Sequence, residues 1–305
     1  MDKSRMFAEP ILQYDNPLYR PPSEGRNMII QATIGCSFNH CTFCSMYKTK
    51  AFRARPLADV FADIDAAARL WPDASRVFLA DGDALVLPTD DLVAILDQLR
   101  ATFPRLERVS LYATPINLTR KPVKELRRLR DKGMALAYVG IESGSAAILN
   151  RIRKGASPAT IVAALERAHA AGIAISATVI LGLGGRNRWH EHIDGTIDVI
   201  NRAPLGYLST LQLRLEDDEV NDFVGRFERE GVPFVWQDDE GVLGELERLL
   251  SWLDPVSPVV FRSNHASNCL PLAGTLPNDR DQLLALIALA RHGASMMRPA
   301  FLRGL

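Results

Sequence analysis

Three cysteines crowd into one short segment, Gly35-Cys36-Ser-Phe-Asn-His-Cys41-Thr-Phe43-Cys44. The C-x4-C-x2-C spacing lets one loop wrap three thiolates around a single centre, and soft thiolates suit iron–sulfur chemistry. A cubane cluster needs one ligand per iron, so three local cysteines leave one iron open to a further molecule, whereas a pure electron carrier normally closes all four positions with cysteine. The fourth cysteine, Cys269, lies far along the chain. Zinc is the alternative, because His40 or Cys269 could complete a tetrahedral site. His40 directly precedes Cys41, which makes it awkward for both to face one ion.

Other residues could do chemistry at the ends of apolar runs. Glu142 and Ser143 follow the run ending Gly140-Ile141, and a helix-capping role would explain Ser143 or Ser145 but not the acid, since an unpaired buried charge is costly. Gly182, Gly184 and Gly185 close another run, where glycine permits close backbone approach or simply a turn. Arg153 and Lys154 could neutralise a carboxylate or be solvated helix charges. His190 and His192 stand two apart, which on a helix sends the rings to different faces, and both are read as surface residues. Downstream, Phe261-Arg-Ser-Asn264-His265-Ala-Ser-Asn268-Cys269 packs hydrogen-bonding groups after an apolar run. His265 and Asn268 are therefore candidates to touch substrate, with Cys269 as a hydrogen donor, a radical site or a small buried apolar residue. Arg214 is a candidate for an anionic group.

The elements that must position these residues alternate along the chain. Strand-length apolar runs at 28–35, 76–82, 108–114, 135–142, 173–183 and 208–215 are followed by helical patterns near 57–71, 89–103, 121–132, 158–171 and 188–202. Such alternation predicts βα units and a parallel sheet with ligands at its C-terminal strand ends. Six units fall short of eight, so the fold class expected is α/β, a partial (βα)6 TIM-like barrel. Residues 1–27 read as an extended N-terminal arm, 28–215 as the core, and 216–305 as an α-rich extension capping the open edge, with a short strand at 259–263 and a final helix near 279–292.

The cysteine loop after the first strand, the later strand-end motifs and the βα run together resemble the radical SAM superfamily, in the branch with coproporphyrinogen-dehydrogenase-like and methylthiotransferase-like enzymes. The likeness covers roughly residues 28–215. The usual spacing there is C-x3-C-x2-C, so this chain carries one extra residue in the first gap. The resemblance implies that Cys36, Cys41 and Cys44 hold a [4Fe–4S] cluster and that Phe43 lies near the adenine of S-adenosylmethionine (SAM). Ala80-Asp81-Gly82-Asp83 matches by position a Gly-Gly-Glu motif that holds the methionine amino group, with Asp81 in place of the first Gly; this assigns Gly82 and Asp83 to the cofactor. GIESGS at 140–145 resembles the ribose-side motif, which assigns Glu142 and Ser143, and the segment around Gly182 resembles the adenine-side motif. Arg153 would meet the methionine carboxylate. The implied reaction is reductive cleavage of SAM to a 5′-deoxyadenosyl radical that takes hydrogen from a small-molecule or peptide substrate, with electrons from a flavodoxin- or ferredoxin-type donor. An iron–sulfur scaffold or electron-transfer protein that leaves SAM intact is the alternative.

Composition narrows the remaining classes. With 36 basic and 36 acidic residues the formal net charge is zero, so no single-signed field invites nucleic acid or an acidic membrane. No apolar run approaches the roughly 20 residues of a bilayer span, and the first 20 residues lack the apolar core of a signal peptide, so a cytoplasmic protein without membrane or nucleic-acid partners is expected. Three clustered cysteines suit a metal or cluster site in a reducing compartment better than disulfides.

Overall fold

The computed structural model describes residues 12, 14–229, 231, 233–293 and 297–304. Its centre is an eight-stranded sheet. In chain order the strands are β1 (Met28–Gln31), β2 (Thr33–Ile34), β3 (Arg53–Ala54), β4 (Arg76–Ala80), β5 (Arg108–Tyr112), β6 (Met134–Glu142), β7 (Ala174–Leu181), β8 (Tyr207–Gln212), β9 (Val259–Arg262) and β10 (Ala273–Leu276). The sheet order is β1-β4-β5-β6-β7-β8-β9-β10, while β2 and β3 pair separately. All neighbours from β1 to β9 are parallel, and β10 returns antiparallel to β9.

The helices are α1 (Leu57–Leu70), α2 (Thr89–Thr102), α3 (Pro115–Arg120), α4 (Val123–Asp131), α5 (Ala146–Arg151), α6 (Pro158–Ala170), α7 (Gly185–Arg202), α8 (Asp217–Glu228), α9 (Asp239–Trp252) and α10 (Arg280–Arg291). Alternate strand residues explain the layering, because successive side chains leave opposite faces. Ile30, Val77, Leu79, Val109, Leu111, Ala137, Val139, Ala177 and Val179 join the large core that also takes the helices' apolar residues. Ile29, Phe78, Ala80, Leu136 and Tyr138 form a second cluster with Tyr112 on the opposite face. That second face is the inside of the partial barrel.

The sequence expectation of an α/β partial barrel holds, with three differences. The run 28–35 is broken: after β1 the chain swings away so that Thr33 and Ile34 pair with Arg53 and Ala54, which closes the base of the cysteine loop. The helix expected at 121–132 is α4, but an unexpected short helix, α3, precedes it, and the two stay separate because Pro122 lacks an N–H and holds Lys121 extended at φ −83, ψ 128. Sheet pairing also continues past 215, since β9 adds a seventh parallel strand against β8. The end of the N-terminal arm packs against the barrel. Glu24, fully buried in a short 3-10 turn, accepts hydrogen bonds from Tyr138 Oη at 2.6 Å and from Arg108 Nη2 at 2.9 Å near the N-terminal end of β5.

Among the described residues no helix is long and apolar enough to cross a membrane.

Candidate active site

The loop between β2 and β3 carries all three clustered cysteines. It leaves the strand at Gly35, whose φ of +73 is open to glycine at little cost. Its far side is tied down by Asn39 Nδ2, which donates to Tyr47 O at 2.7 Å, and by Lys48 Nζ, which donates to Cys41 O at 2.9 Å. Beneath it, Lys50 is buried with its Nζ 2.9 Å from Asp81 Oδ2, an oxygen that also accepts the Gly35 N–H at 3.1 Å. Asp81 therefore anchors the start of the loop.

Cys36, Cys41 and Cys44 are partly buried and line one cavity of about 310 Å³ at the C-terminal ends of the strands. Phe43, Gly82, Glu142, Lys154 and Arg214 line the same cavity, with Tyr112, Tyr138, Thr178 and Ile180 from the inner barrel face. A larger cavity of about 690 Å³ lies against α7 and α9 and shares none of these residues, so size does not mark the chemistry here. Gly82 has to be glycine: a Cβ there would stand 2.6 Å from the Tyr47 ring and 2.9 Å from Cys36 Cβ.

The donor set fits a cluster better than a lone ion. Among the described residues no three or more His, Cys, Asp or Glu converge closely enough to hold a single metal ion. His40 is exposed and packs edge-on to Phe38 at 5.4 Å, while Cys269 is buried outside the cavity, so neither completes a zinc site with the three thiols. A cubane takes one thiolate per iron and spreads its ligands more widely than a single ion does. Burial pushes the Cys41 thiol up, against the pull of Lys154, and pushes Cys44 up to about 12. Binding such thiols as thiolates requires a strongly cationic partner.

Glu142 ends β6 with a left-handed φ of +59, uncommon outside glycine. That turn folds its carboxylate back over Gly140, where an added Cβ would meet Glu142 Oε1 at 1.9 Å. Lys154 Nζ donates to the same oxygen at 2.8 Å and sits 5.9 Å over the Phe43 ring. Burial alone would lower the Lys154 ammonium, but the adjacent Glu142 carboxylate reverses this and holds it above its ordinary value. Ser143, one residue on, points away. It shares a hydrogen bond of 2.8 Å with His192 Nδ1, while His192 Nε2 bonds Ile180 O at 2.9 Å.

Several sequence candidates occupy other places. His192, read as a surface residue, is fully buried, and burial lowers it to about 4, so it is a neutral clamp between the ends of β6 and β7. Asp83 is buried and accepts from Ser37, from Asn117 Nδ2 at 2.5 Å and from Thr114, and it is not on the cavity wall. Arg153 is exposed, and its neighbour Lys154 is the cation that enters the cavity. Gly182 lies outside the wall; its φ is +80 and its N–H donates to the buried Glu245 Oε2 at 2.7 Å. His265 bonds Ser267 through Nδ1 at 2.9 Å, Asn268 donates to Thr210 O at 2.7 Å and accepts from the Gln212 N–H at 2.6 Å, and burial pushes the Cys269 thiol up to about 11. None of the three lines the cysteine cavity. Arg214, just past β8, does line it, beside Leu211 and Gln212 at the end of that strand.

Lys154 was named in the sequence beside Arg153, with no periodic signal to separate the two. Glu245 escaped the sequence reading although it carried a signal, because it stands among Val242, Leu246 and Leu249 on the buried face of α9, an unusual place for an acid.

Known proteins place this architecture. The Radical SAM superfamily description matches residues 30–198. A protein of Methanocaldococcus jannaschii provisionally named a methylthiotransferase is 27% identical over 168 residues, which is 52% of this chain and 35% of that one. The chain thus spans about a third of that relative's length. In fold it is similar to coproporphyrinogen III oxidase of Escherichia coli, with a TM-score of 0.55 and 15% identity over 74% of this chain and 52% of that one. It is likewise similar to a methylornithine synthase, with a TM-score of 0.54 and 12% identity over 86% and 68% of the two chains. Matched across more than half of its length, the chain belongs to the radical SAM superfamily, enzymes whose cofactors are a [4Fe–4S] cluster and SAM.

Proposed function

We propose that Cys36, Cys41 and Cys44 ligate the cluster, that SAM is held beside it in the same cavity, and that the radical so formed takes a hydrogen atom from an organic substrate. One observation carries this reading: three thiols, the Glu142–Lys154 pair and Phe43 share the wall of one cavity at the C-terminal strand ends. With both cofactors bound, an electron from the cluster would cleave the sulfonium and release methionine and a 5′-deoxyadenosyl radical.

The chain's own residues bind, orient and exclude. Lys154 presents a cation beside Cys41 and Phe43, suited to a carboxylate, and it replaces Arg153 in that role. Glu142 offers a fixed acceptor oxygen for hydroxyl donors, with Gly140 bare beneath it. Phe43 offers an aromatic face. Tyr112, Ile180 and Leu213 line the cavity around them and keep water from a reactive carbon centre. His192 and Glu245 hold the ends of β6 and β7 from behind. A flavodoxin- or ferredoxin-type donor would supply electrons in the cytoplasm.

The test is anaerobic reconstitution with iron and sulfide, reduction with dithionite, addition of SAM and chromatographic assay of 5′-deoxyadenosine, with Cys41→Ala as control. Formation that depends on the triad supports the reading. A cluster that assembles while SAM stays whole would replace it with the scaffold or electron-transfer alternative.

A further inference from the structure

Two cavities meet at the end of β8. Gln212, Leu213 and Arg214 line both the cysteine cavity and a second one of about 350 Å³, whose other walls include Leu215, Trp236, Ser267 and Arg303. No cysteine-loop residue lines the second cavity. Its two guanidinium groups differ sharply. Arg303 is neutralised by Asp239, with Nη1 at 2.6 Å from Oδ1 and Nη2 at 2.7 Å from Oδ2. Arg214 has no acidic partner among the described residues; its hydrogen bond there is from Nη1 to Arg303 O at 2.9 Å.

The backbone that carries Arg214 is fixed on both flanks. Leu213 N–H donates to Leu181 O at 2.9 Å, and Gln212 N–H donates to Asn268 Oδ1 at 2.6 Å, while Asn268 Nδ2 donates to Thr210 O at 2.7 Å. This gives Asn268 a role away from the cysteines. It sets the strand end from which Arg214 projects.

A cluster and SAM in the first cavity leave a substrate to approach through the shared wall. One uncompensated guanidinium offers one unit of charge and a planar two-donor fork, which suits a planar monoanion. A dianionic phosphate would call for a second cation, and Arg303 is already neutralised by Asp239. Trp236, partly exposed, with Leu213 and Leu215, offers apolar surface beside the fork. We infer that the second cavity seats the substrate and that Arg214 clamps a carboxylate on it, so that the substrate is an organic carboxylic acid with an apolar or aromatic body. This rests on the reading of the first cavity as the SAM site.

Phenylacetate, phenylacetamide and phenyl phosphate are the probes, titrated by ligand-observed NMR against the full-length chain before and after reconstitution. The wild-type chain is expected to bind phenylacetate about five- to tenfold more tightly than phenylacetamide, as an exposed charge-assisted pair allows, and phenyl phosphate no more tightly than phenylacetate. In Arg214→Gln the preference disappears, and in Arg214→Lys part of it returns. A wild-type chain without the preference, a preference that survives in Arg214→Gln, or tighter phenyl phosphate binding overturns the inference. So does a matching loss of SAM affinity in Arg214→Gln, read by equilibrium dialysis, because it would assign Arg214 to the cofactor. The probe titration needs neither cluster nor SAM, so its failure is distinct from failure of the 5′-deoxyadenosine assay.

Discussion

Glu245 reaches from α9 into the core with no exposed surface, accepting the Gly182 N–H at 2.7 Å on Oε2 and Gln237 Nε2 at 3.0 Å on Oε1. Burial raises its carboxyl from 4.5 to about 7, and the two hydrogen bonds offset part of that rise. A carboxyl whose folded pKa lies above its unfolded one binds its proton more tightly when folded. Its contribution to stability is therefore unchanged below pH 4.5, declines as pH rises toward 7, and stays at its lower value above. The full decline is about 3 kcal/mol, at about 1.4 kcal/mol per pH unit. Glu245→Gln removes the charge and keeps the Gly182 acceptor, and the Gln237 amide can turn to present its oxygen to the new amide nitrogen. Urea midpoints for wild type and Glu245→Gln should thus coincide near pH 4.5 and separate steadily up to pH 8, where the variant is the more stable by up to about 3 kcal/mol. Other titrating groups cancel in the difference. A difference that does not depend on pH, or a variant less stable at pH 8, would refute the reasoning.

Gly82→Ala should block cluster assembly while leaving far-UV circular dichroism unchanged, because its Cβ would drive into Tyr47 and Cys36; normal iron and sulfide content in the variant would contradict this. Lys154→Met strands the nearly buried Glu142 carboxylate and should cost about 3 kcal/mol in chemical denaturation, most of it recovered in the Lys154→Met/Glu142→Gln double variant. Asn268→Ala loses bonds to Gln212 N, Thr210 O and Ser263 Oγ and should cost about 2–3 kcal/mol, with cluster content per folded chain unchanged because the residue lies off the cysteine cavity.

Local signals sufficed for much of the molecule. The strand-length apolar runs and intervening amphipathic stretches placed the strands from 76 to 212 with ends shifted by a few residues, since those patterns are local consequences of facing two packed layers. The short helix α3 before Pro122 was passed over, since six residues carry too little periodic signal. The cysteine spacing, Gly82 and the Gly140–Glu142 string were equally visible, because each needs a residue type at a fixed offset from a strand end.

Contacts between distant segments were not visible in this way. Whether Arg153 or Lys154 faces the cavity depends on the left-handed turn at Arg153, with φ +53, and on the Glu142 carboxylate waiting across the wall. Asp83 and Asn268 look like site residues in sequence, yet the partners other segments bring to them, Asn117 and Thr114 for Asp83 and Gln212 and Thr210 for Asn268, could not be read there. β9 joins the sheet because β8 offers a free edge, a fact of assembly that its own four residues do not encode. The sequence alone determined the βα alternation and the thiol-bearing loop, whose causes are local. Only the tertiary structure decided which charges are paired, which are buried, and that of the two guanidiniums at the second cavity Arg303 meets Asp239 and Arg214 meets no acid among the described residues, because those depend on what the folded chain brings within a few ångströms.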